Sequence, residues 1–320
     1  MTNKIIAVQG NNLNNLNPLT DTSIFLAKSG ENKGYKIFYY EPENLSIKNK
    51  KVFANGSFIK IDYSKKKFFK VIKKTYIDLS KVKFILIRQD PPFNLEYIST
   101  TYILDTIKNK VQVINNPTSI RNISEKLYSM KFINFMPDTI FTKKVEDVLH
   151  FYKKYKKIIL KPIHSYSGND IIYINHKLNK KLISKFVKKH GHIMCQKFLP
   201  KIKFGDKRVF IINGKICGCI SRVPKTGSIL SNMSKGAKPK LIKLTKKEIK
   251  ISKVIAKDLM KEDIYFAGID FIDEKLNGDI NVTSPTGLKT FFDLSNINLA
   301  DYFWKGLRAW KISITSKKVL

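Results

Sequence analysis

Asp270 stands inside the apolar run Phe266-Ala-Gly-Ile-Asp-Phe-Ile272, and Asp279 and Asn281 follow two residues apart. A carboxylate in the interior of an apolar strand needs a compensating partner. Alternation with period two puts Asp279 and Asn281 on one strand face. Pairing of the two strands around Asn277-Gly278 would bring Asp270 to the same side. Three oxygen-bearing side chains on rigid strands suit Mg²⁺, a hard cation held by a few protein oxygens together with nucleotide phosphates. The competing reading is a hairpin whose polar residues simply face water.

A second set of residues suits anionic ligands. Lys161 ends the run Ile158-Ile-Leu-Lys-Pro162, directly before the loop His164-Ser-Tyr-Ser-Gly168. Loops of this kind can fold backbone N–H groups over phosphates, although one Gly and two Ser make a weak signal alone. Gly205-Asp-Lys-Arg208 places a carboxylate and a guanidinium at the start of a strand, and Arg222 ends the next one. Of 60 basic residues only Arg88, Arg121, Arg208, Arg222 and Arg308 are arginines. Where Arg persists in so Lys-rich a chain, its planar fork is expected to be needed. His150, His164, His176, His190 and His192 show no ligand spacing, and only His164 falls beside these motifs.

The elements that must position these groups follow from periodicity and turn signals. Alternating strands and helices are expected first: strands at 4–8, 35–40, 84–87 and 111–114, a helix at 21–33, and a hairpin over 45–63 turning at Asn55-Gly56. This pattern implies an open α/β lobe. Next come a helix at 121–135 carrying Lys126, a strand at 139–141, a helix at 145–155, strands at 158–162 and 170–174, a helix at 180–190 and a strand at 193–196. Strands at 208–212 and 215–223 flank the Asn213-Gly214 turn. A polar loop occupies 224–240, and Thr245-x-x-Glu248 reads as a capping box opening a helix to about 261. Strands at 266–272 and 279–282 close the list.

Composition sets the frame. The chain has 320 residues, 43% hydrophobic and 12% aromatic, as a folded globular protein requires. No apolar run approaches the roughly 18 residues of a membrane span. Cys195, Cys217 and Cys219 form no C-x-x-C pair and are too few for a disulfide framework, so cytoplasm is the expected compartment. The net charge of +35 is dispersed lysine. It reads as a solvated surface and not as a specific nucleic-acid face, because base and phosphate recognition favours arginine.

In their order along the chain, these motifs resemble the bacterial glutathione synthetases of the ATP-grasp superfamily. The resemblance is carried by RQDPPF (88–93), TYIL (101–104), NNPTSIRNISEKL (115–127), ILKP (159–162), QKFLP (196–200), GDKRV (205–209), SRVP (221–224) and AGID…DINVTSPTG (267–287). It implies an α/β ATP-grasp fold preceded by a Rossmann-like lobe, with an N-terminal substrate lobe at 1–122, a lid subdomain at 123–200 and a metal-bearing subdomain at 201–320. It implies ATP and Mg²⁺ (or Mn²⁺), with γ-glutamylcysteine and glycine as substrates and a homo-oligomer as the assembly. By the same resemblance Lys126, Lys161, Ser167, Gly168 and Asp206 would serve the nucleotide, Lys126 and Lys161 on its phosphates. Gln196, Lys197, Phe198 and Leu199 would lie against adenine, with backbone groups reading its edge. Arg208 and Arg222 would stabilise the transferring phosphoryl group; Asp270, Asp279 and Asn281 would hold the metal; Arg88, Asn232, Ser284, Pro285 and Thr286 would line the peptide site.

The chain also departs from that family pattern. His164-Ser-Tyr-Ser-Gly168 replaces Asp-Gly-x-Gly-Gly, Leu230 stands where an Arg is usual, Asp279 where a Glu is usual, and Gly10-Asn11 where Asp-Pro is usual. Two further readings therefore stand beside glutathione synthesis. One is a carboxylate–amine ligase with a different amino-acid or peptide substrate; the other is a catalytically weakened nucleotide-binding paralogue.

Overall fold

β1 (Ile5–Gln9) lies at the heart of the first sheet of the computed structural model, which describes residues 4–166, 168–176 and 178–309. Around it are β2 (Lys36–Tyr40), β3 (Leu45–Lys48), β4 (Lys51–Ile61), β5 (Phe69–Asp78), β6 (Phe84–Ile87) and β7 (Gln112–Ile114). The order is β3-β4-β2-β1-β6-β7, with β5 on the far side of β4. β1, β2, β6 and β7 run parallel and are buried on both faces, which their nearly continuous apolar sequences permit. α1 (Thr22–Asn32), capped by Asp21, and α2 (Leu95–Asp105), capped by Asn94, cover the sheet; α3 (Pro117–Asn122) leads out of it.

The second sheet holds β8 (Thr139–Thr142), β9 (Ile158–Pro162), β10 (Ile172–Ile174) and β11 (Ile193–Lys197) in the order β10-β9-β11-β8, all antiparallel. α4 (Val145–Tyr155) and α5 (Lys180–His190) press Val148, Phe151, Ile183 and Phe186 onto its outer face, against Ile158, Leu160, Ile193 and Cys195. Period two then turns Ile159, Lys161, Met194 and Gln196 inward. The third sheet, β14-β13-β12-β15-β16, is built from β12 (Asp206–Ile212), β13 (Lys215–Val223), β14 (Lys238–Leu241), β15 (Phe266–Ile272) and β16 (Lys275–Asn281). α6 (Lys246–Lys261), opened by the reciprocal Thr245–Glu248 capping box, packs Ile251, Ile255 and Leu259 on its outer face. α7 (Leu288–Ser295) and α8 (Leu299–Ala309) return to the first sheet, where Trp304 is buried and its indole N–H donates to the Leu26 carbonyl at 2.8 Å. No described helix is long and apolar enough to cross a membrane.

Several expectations are corrected. Neither Asn55-Gly56 nor Asn277-Gly278 is a turn. The first hairpin turns at Asn49-Lys50 and the last at Asp273-Glu274, all four residues with positive φ. Gly56 lies inside β4, where a Cβ would come within 2.4 Å of the Tyr39 carbonyl; close approach, not a turn, requires glycine there. The helix expected at 121–135 is broken: α3 ends at Asn122, a 3-10 stretch spans Leu127–Phe135, and Lys126 sits in the joint. The polar loop at 224–240 ends in β14, which begins at Lys238.

Candidate active site between the second and third sheets

On the inner face of the third sheet, register makes two charge pairs. Asp206 of β12 lies directly opposite Arg222 of β13, and Arg208 of β12 opposite Asp270 of β15. The Asp206 carboxylate accepts from Arg222 Nε at 2.8 Å and from its Nη2 at 2.5 Å, and from Ser231 Oγ at 2.6 Å. Asp270 accepts from Arg208 Nε and Nη2 at 2.5 and 2.9 Å, and from Arg222 Nη2 at 2.8 Å. All four charged groups are buried. Burial works against the charge on Asp270, but the two guanidiniums outweigh it and hold the carboxyl well below the ordinary range. Burial likewise works against Arg222, and Asp206 and Asp270 outweigh it, so the guanidinium is held protonated.

β16 supplies the next wall, and a bulge aims it. Ile269 pairs with Ile280 and Phe271 with Leu276, so Asn277, Gly278 and Asp279 stand against Asp270 alone. Gly278 makes this possible with φ +84°, in a niche where a Cβ would lie 2.7 Å from the Met194 methyl. Asn277, Asp279 and Asn281 all turn to the cavity. Lys161 reaches across from β9 and donates to the Asn277 carbonyl and Oδ1 at 2.8 and 2.9 Å, with Asp279 at 3.6 Å. Lys126 donates to the Ser165 carbonyl at 2.7 Å and stands 3.5 Å from Asp279. Burial lowers the Lys161 pKa, with Asp279 opposing. Glu125, beside Lys126, accepts from Thr283 Oγ1 at 2.8 Å, and burial pushes its carboxyl up.

One cavity of about 650 Å³ joins these groups. Among the described residues no three His, Cys, Asp or Glu gather as a metal-holding group. A cation here would rest on the mixed oxygen set of Asp270, Asp279 and Asn281. That set fits Mg²⁺ or Mn²⁺: the donors are hard oxygens, all three line the cavity, and Asp279 is a quarter exposed. Asn281 Oδ1 meanwhile accepts from Ser284 N at 3.1 Å.

The far end of the cavity is lined by Ile159, Gln196, Lys197, Phe198 and Leu199, a half-apolar slot. The N–H groups of Lys197 and Phe198 are spent on the Asp138 and Lys157 carbonyls, so an adenine edge here must be read by other groups. Gln196 is buried, its amide donating to Thr139 Oγ1 at 3.0 Å. Two loops face each other above the slot. A Cβ on Gly168 would lie 2.5 Å from Asn232 Oδ1 and 3.5 Å from Leu230, so Gly168 touches the segment 224–237. Ser167 lies outside the described residues. His164 is exposed and does not line the cavity.

Arg88 and Pro285 also lie off the main cavity. Arg88 is buried, donating to Ser23 Oγ at 3.1 Å and to the Pro285 carbonyl at 2.9 Å, and thus ties the first sheet to the turn after β16. Ser284 and Thr286 line the cavity, facing Asn15, Asn17, Asp21 and Asp90 of the first lobe.

Comparison with known proteins decides what this arrangement belongs to. The description of the prokaryotic glutathione synthetase N-terminal domain matches residues 5–121, and that of the prokaryotic glutathione synthetase ATP-grasp domain matches residues 125–296. The chain belongs to the prokaryotic glutathione synthetase family. A glutathione synthetase of Mesorhizobium japonicum is 34% identical over 304 residues, 93% of this chain and 96% of the relative. One from Buchnera aphidicola subsp. Baizongia pistaciae is 35% identical over 294 residues, 90% of each. D-cycloserine synthetase shares the fold with a TM-score of 0.66 at 11% identity, over 95% of this chain and 99% of that one. D-alanyl-alanine synthetase A of Vibrio cholerae does so with a TM-score of 0.60 at 12% identity, over 97% and 98%.

Within a glutathione synthetase frame, the departures Leu230 and Asp279 line the cavity, whereas His164, Gly10 and Asn11 do not. Leu230 lies beside Gly168 where the two loops meet, and Asp279, the shorter acid, stands on the bulge. Among the cavity residues that escaped the sequence reading are Glu125, Asn277, Ser231 and Asp21. Asn277 reads as a turn residue and Asp21 as the first residue of a helix. Glu125 had a signal in its place directly before Lys126.

Proposed function

We infer that this chain is a Mg·ATP-dependent ligase that joins γ-glutamylcysteine to glycine, yielding glutathione, ADP and phosphate. The observation that supports the reading most strongly is the convergence of Lys126, Lys161, Arg208 and Arg222 with the oxygens of Asp270, Asp279 and Asn281 around one cavity of about 650 Å³. In this reading the cysteinyl carboxylate attacks the γ-phosphorus, an O–P bond forms, and ADP leaves. Glycine's amine then attacks the acyl carbon, and phosphate and a proton depart. Such chemistry asks the protein for position and positive charge rather than for a nucleophile.

Lys126 and Lys161 hold the phosphates, and Gln196 to Leu199 flank adenine. Arg208 and Arg222, fixed by Asp270 and Asp206, present guanidiniums to the transferring phosphoryl group. A divalent cation on Asp270, Asp279 and Asn281 supplies neutralisation of phosphate charge. Asn232, Ser284 and Thr286 face the peptide, with Arg88 fixing Pro285 from behind. We take the lobes as 1–122, 123–200 and 201–320, which the three sheets support, and assign the chain to the cytoplasm as a homo-oligomer.

The test is ADP formation by purified protein with ATP, Mg²⁺, γ-glutamylcysteine and glycine. Turnover must vanish when either amino component is omitted. ADP formation with another amino acid but not with glycine would replace the acceptor; no turnover with any γ-glutamyl donor would sink the ligase reading.

A further inference from the structure

Ser231 belongs to the segment 224–237, which folds over the cavity, whereas Asp206 belongs to the rigid third sheet. Their contact is short, Oγ to Oδ2 at 2.6 Å, and both residues are buried. Among the described residues, Arg222 is the one other side chain that donates to the Asp206 carboxylate. The same Arg222 Nη2 that bonds Asp206 also bonds Asp270. The chain of contacts therefore runs from the loop through Ser231, Asp206, Arg222 and Asp270 to Arg208. The neighbouring Asn232 meets Gly168, so the segment seats simultaneously on the opposite loop.

We propose that Ser231 is a positioning residue for Arg222: its hydroxyl fastens the closed 224–237 segment to Asp206 and thereby holds the Arg222 fork toward the cavity. The inference rests on the ATP-dependent reading above. A hydroxyl on a buried carboxylate is a charge-assisted bond, stronger than a neutral one. Its loss leaves Asp206 with a free lone pair facing Arg222 and frees the loop from the sheet.

The experiment compares wild type, Ser231→Ala and Ser231→Thr as full chains. ADP formation gives kcat and each KM. Trypsin cleavage after Lys225 and Lys235, with and without a non-hydrolysable ATP analogue, reports seating of the loop. We expect Ser231→Ala to lose about tenfold in kcat, the size of one charge-assisted bond, with KM for glycine unchanged. The analogue should protect wild type from trypsin but not this variant. Ser231→Thr, which keeps the hydroxyl, should stay within about threefold of wild type in kcat on the same scale and remain protected. Wild-type kcat and protection in Ser231→Ala, or equal impairment of both variants, overturns the proposal. If wild type forms no ADP the functional reading fails separately, and the trypsin comparison alone decides Ser231.

Discussion

Replacing Arg222 by Met tests the buried charge chain most directly. The methionine stem keeps the apolar packing of the arginine but removes two bonds to Asp206 and one to Asp270. Asp270 retains Arg208, whereas Asp206 keeps only Ser231 as a donor. Deleting one partner of a buried pair strands the other's charge and costs about 3–5 kcal/mol. At about 2–4 °C per kcal/mol for domains of this size class, the melting midpoint should fall by roughly 10 °C. Loss of one preorganised cationic donor should lower kcat by about 10²–10³-fold. The decisive companion is the double variant Asp206→Asn, Arg222→Met. It removes the stranded charge, so it should be more stable than the single variant by at least ~1 kcal/mol without recovering turnover. Urea or thermal unfolding alongside ADP formation measures both effects. An Arg222→Met protein that melts with wild type, or a double variant no more stable than the single, would refute the reasoning.

Three further outcomes follow from the geometry. Lys161→Met should cut nucleotide affinity at least ~10-fold, on the scale of a lost charge-assisted bond, without lowering the melting midpoint. Burial already works against its charge, and calorimetric titration with ADP beside a melt separates the two. Gly278→Ala should cost about 1–2 kcal/mol for the left-handed backbone alone, with more from the displaced Met194, as read by chemical denaturation. Asp105 is subject to burial, which raises its pKa, but hydrogen bonds from Thr118, Lys108 and Arg121 outweigh it and lower the pKa below 3.8. Its stabilisation is therefore complete above that value and is lost as pH falls through the folded-state pKa. The melting gap between wild type and Asp105→Asn should stay constant above pH 3.8 and narrow as the pH is taken below it.

α4 and α5, each with one buried and one wet face, span the expected residues, and so do β9, buried along its whole length, and β13, because apolar runs and turn residues agree there. β5 has no such face: Lys70, Lys73 and Lys74 are exposed along with Ile72, so no alternation marks it. α8 is held by Trp304 against α1, a partner some 278 residues away along the chain that local pattern does not reveal. The site was legible where chemistry conflicts with its surroundings, as with Asp270 in an apolar strand. It was obscured where one dipeptide serves two geometries, since Asn-Gly suits a tight turn and a strand bulge equally well.

That bulge carries a rule of parity. Two extra residues stand opposite Asp270, an even number, so cavity-facing and core-facing positions along β16 stay in step on either side of it. Removing one residue between Leu276 and Ile280 would exchange the two sets, sending an acid into the Ile251–Leu259 core and an isoleucine toward the lysines. Removing Asn277 and Gly278 together would restore the facing and keep Asp279, at the loss of the Asn277 bonds to Lys161. Length changes in this hairpin should therefore be tolerated in pairs and rejected singly, provided Asp279 is kept.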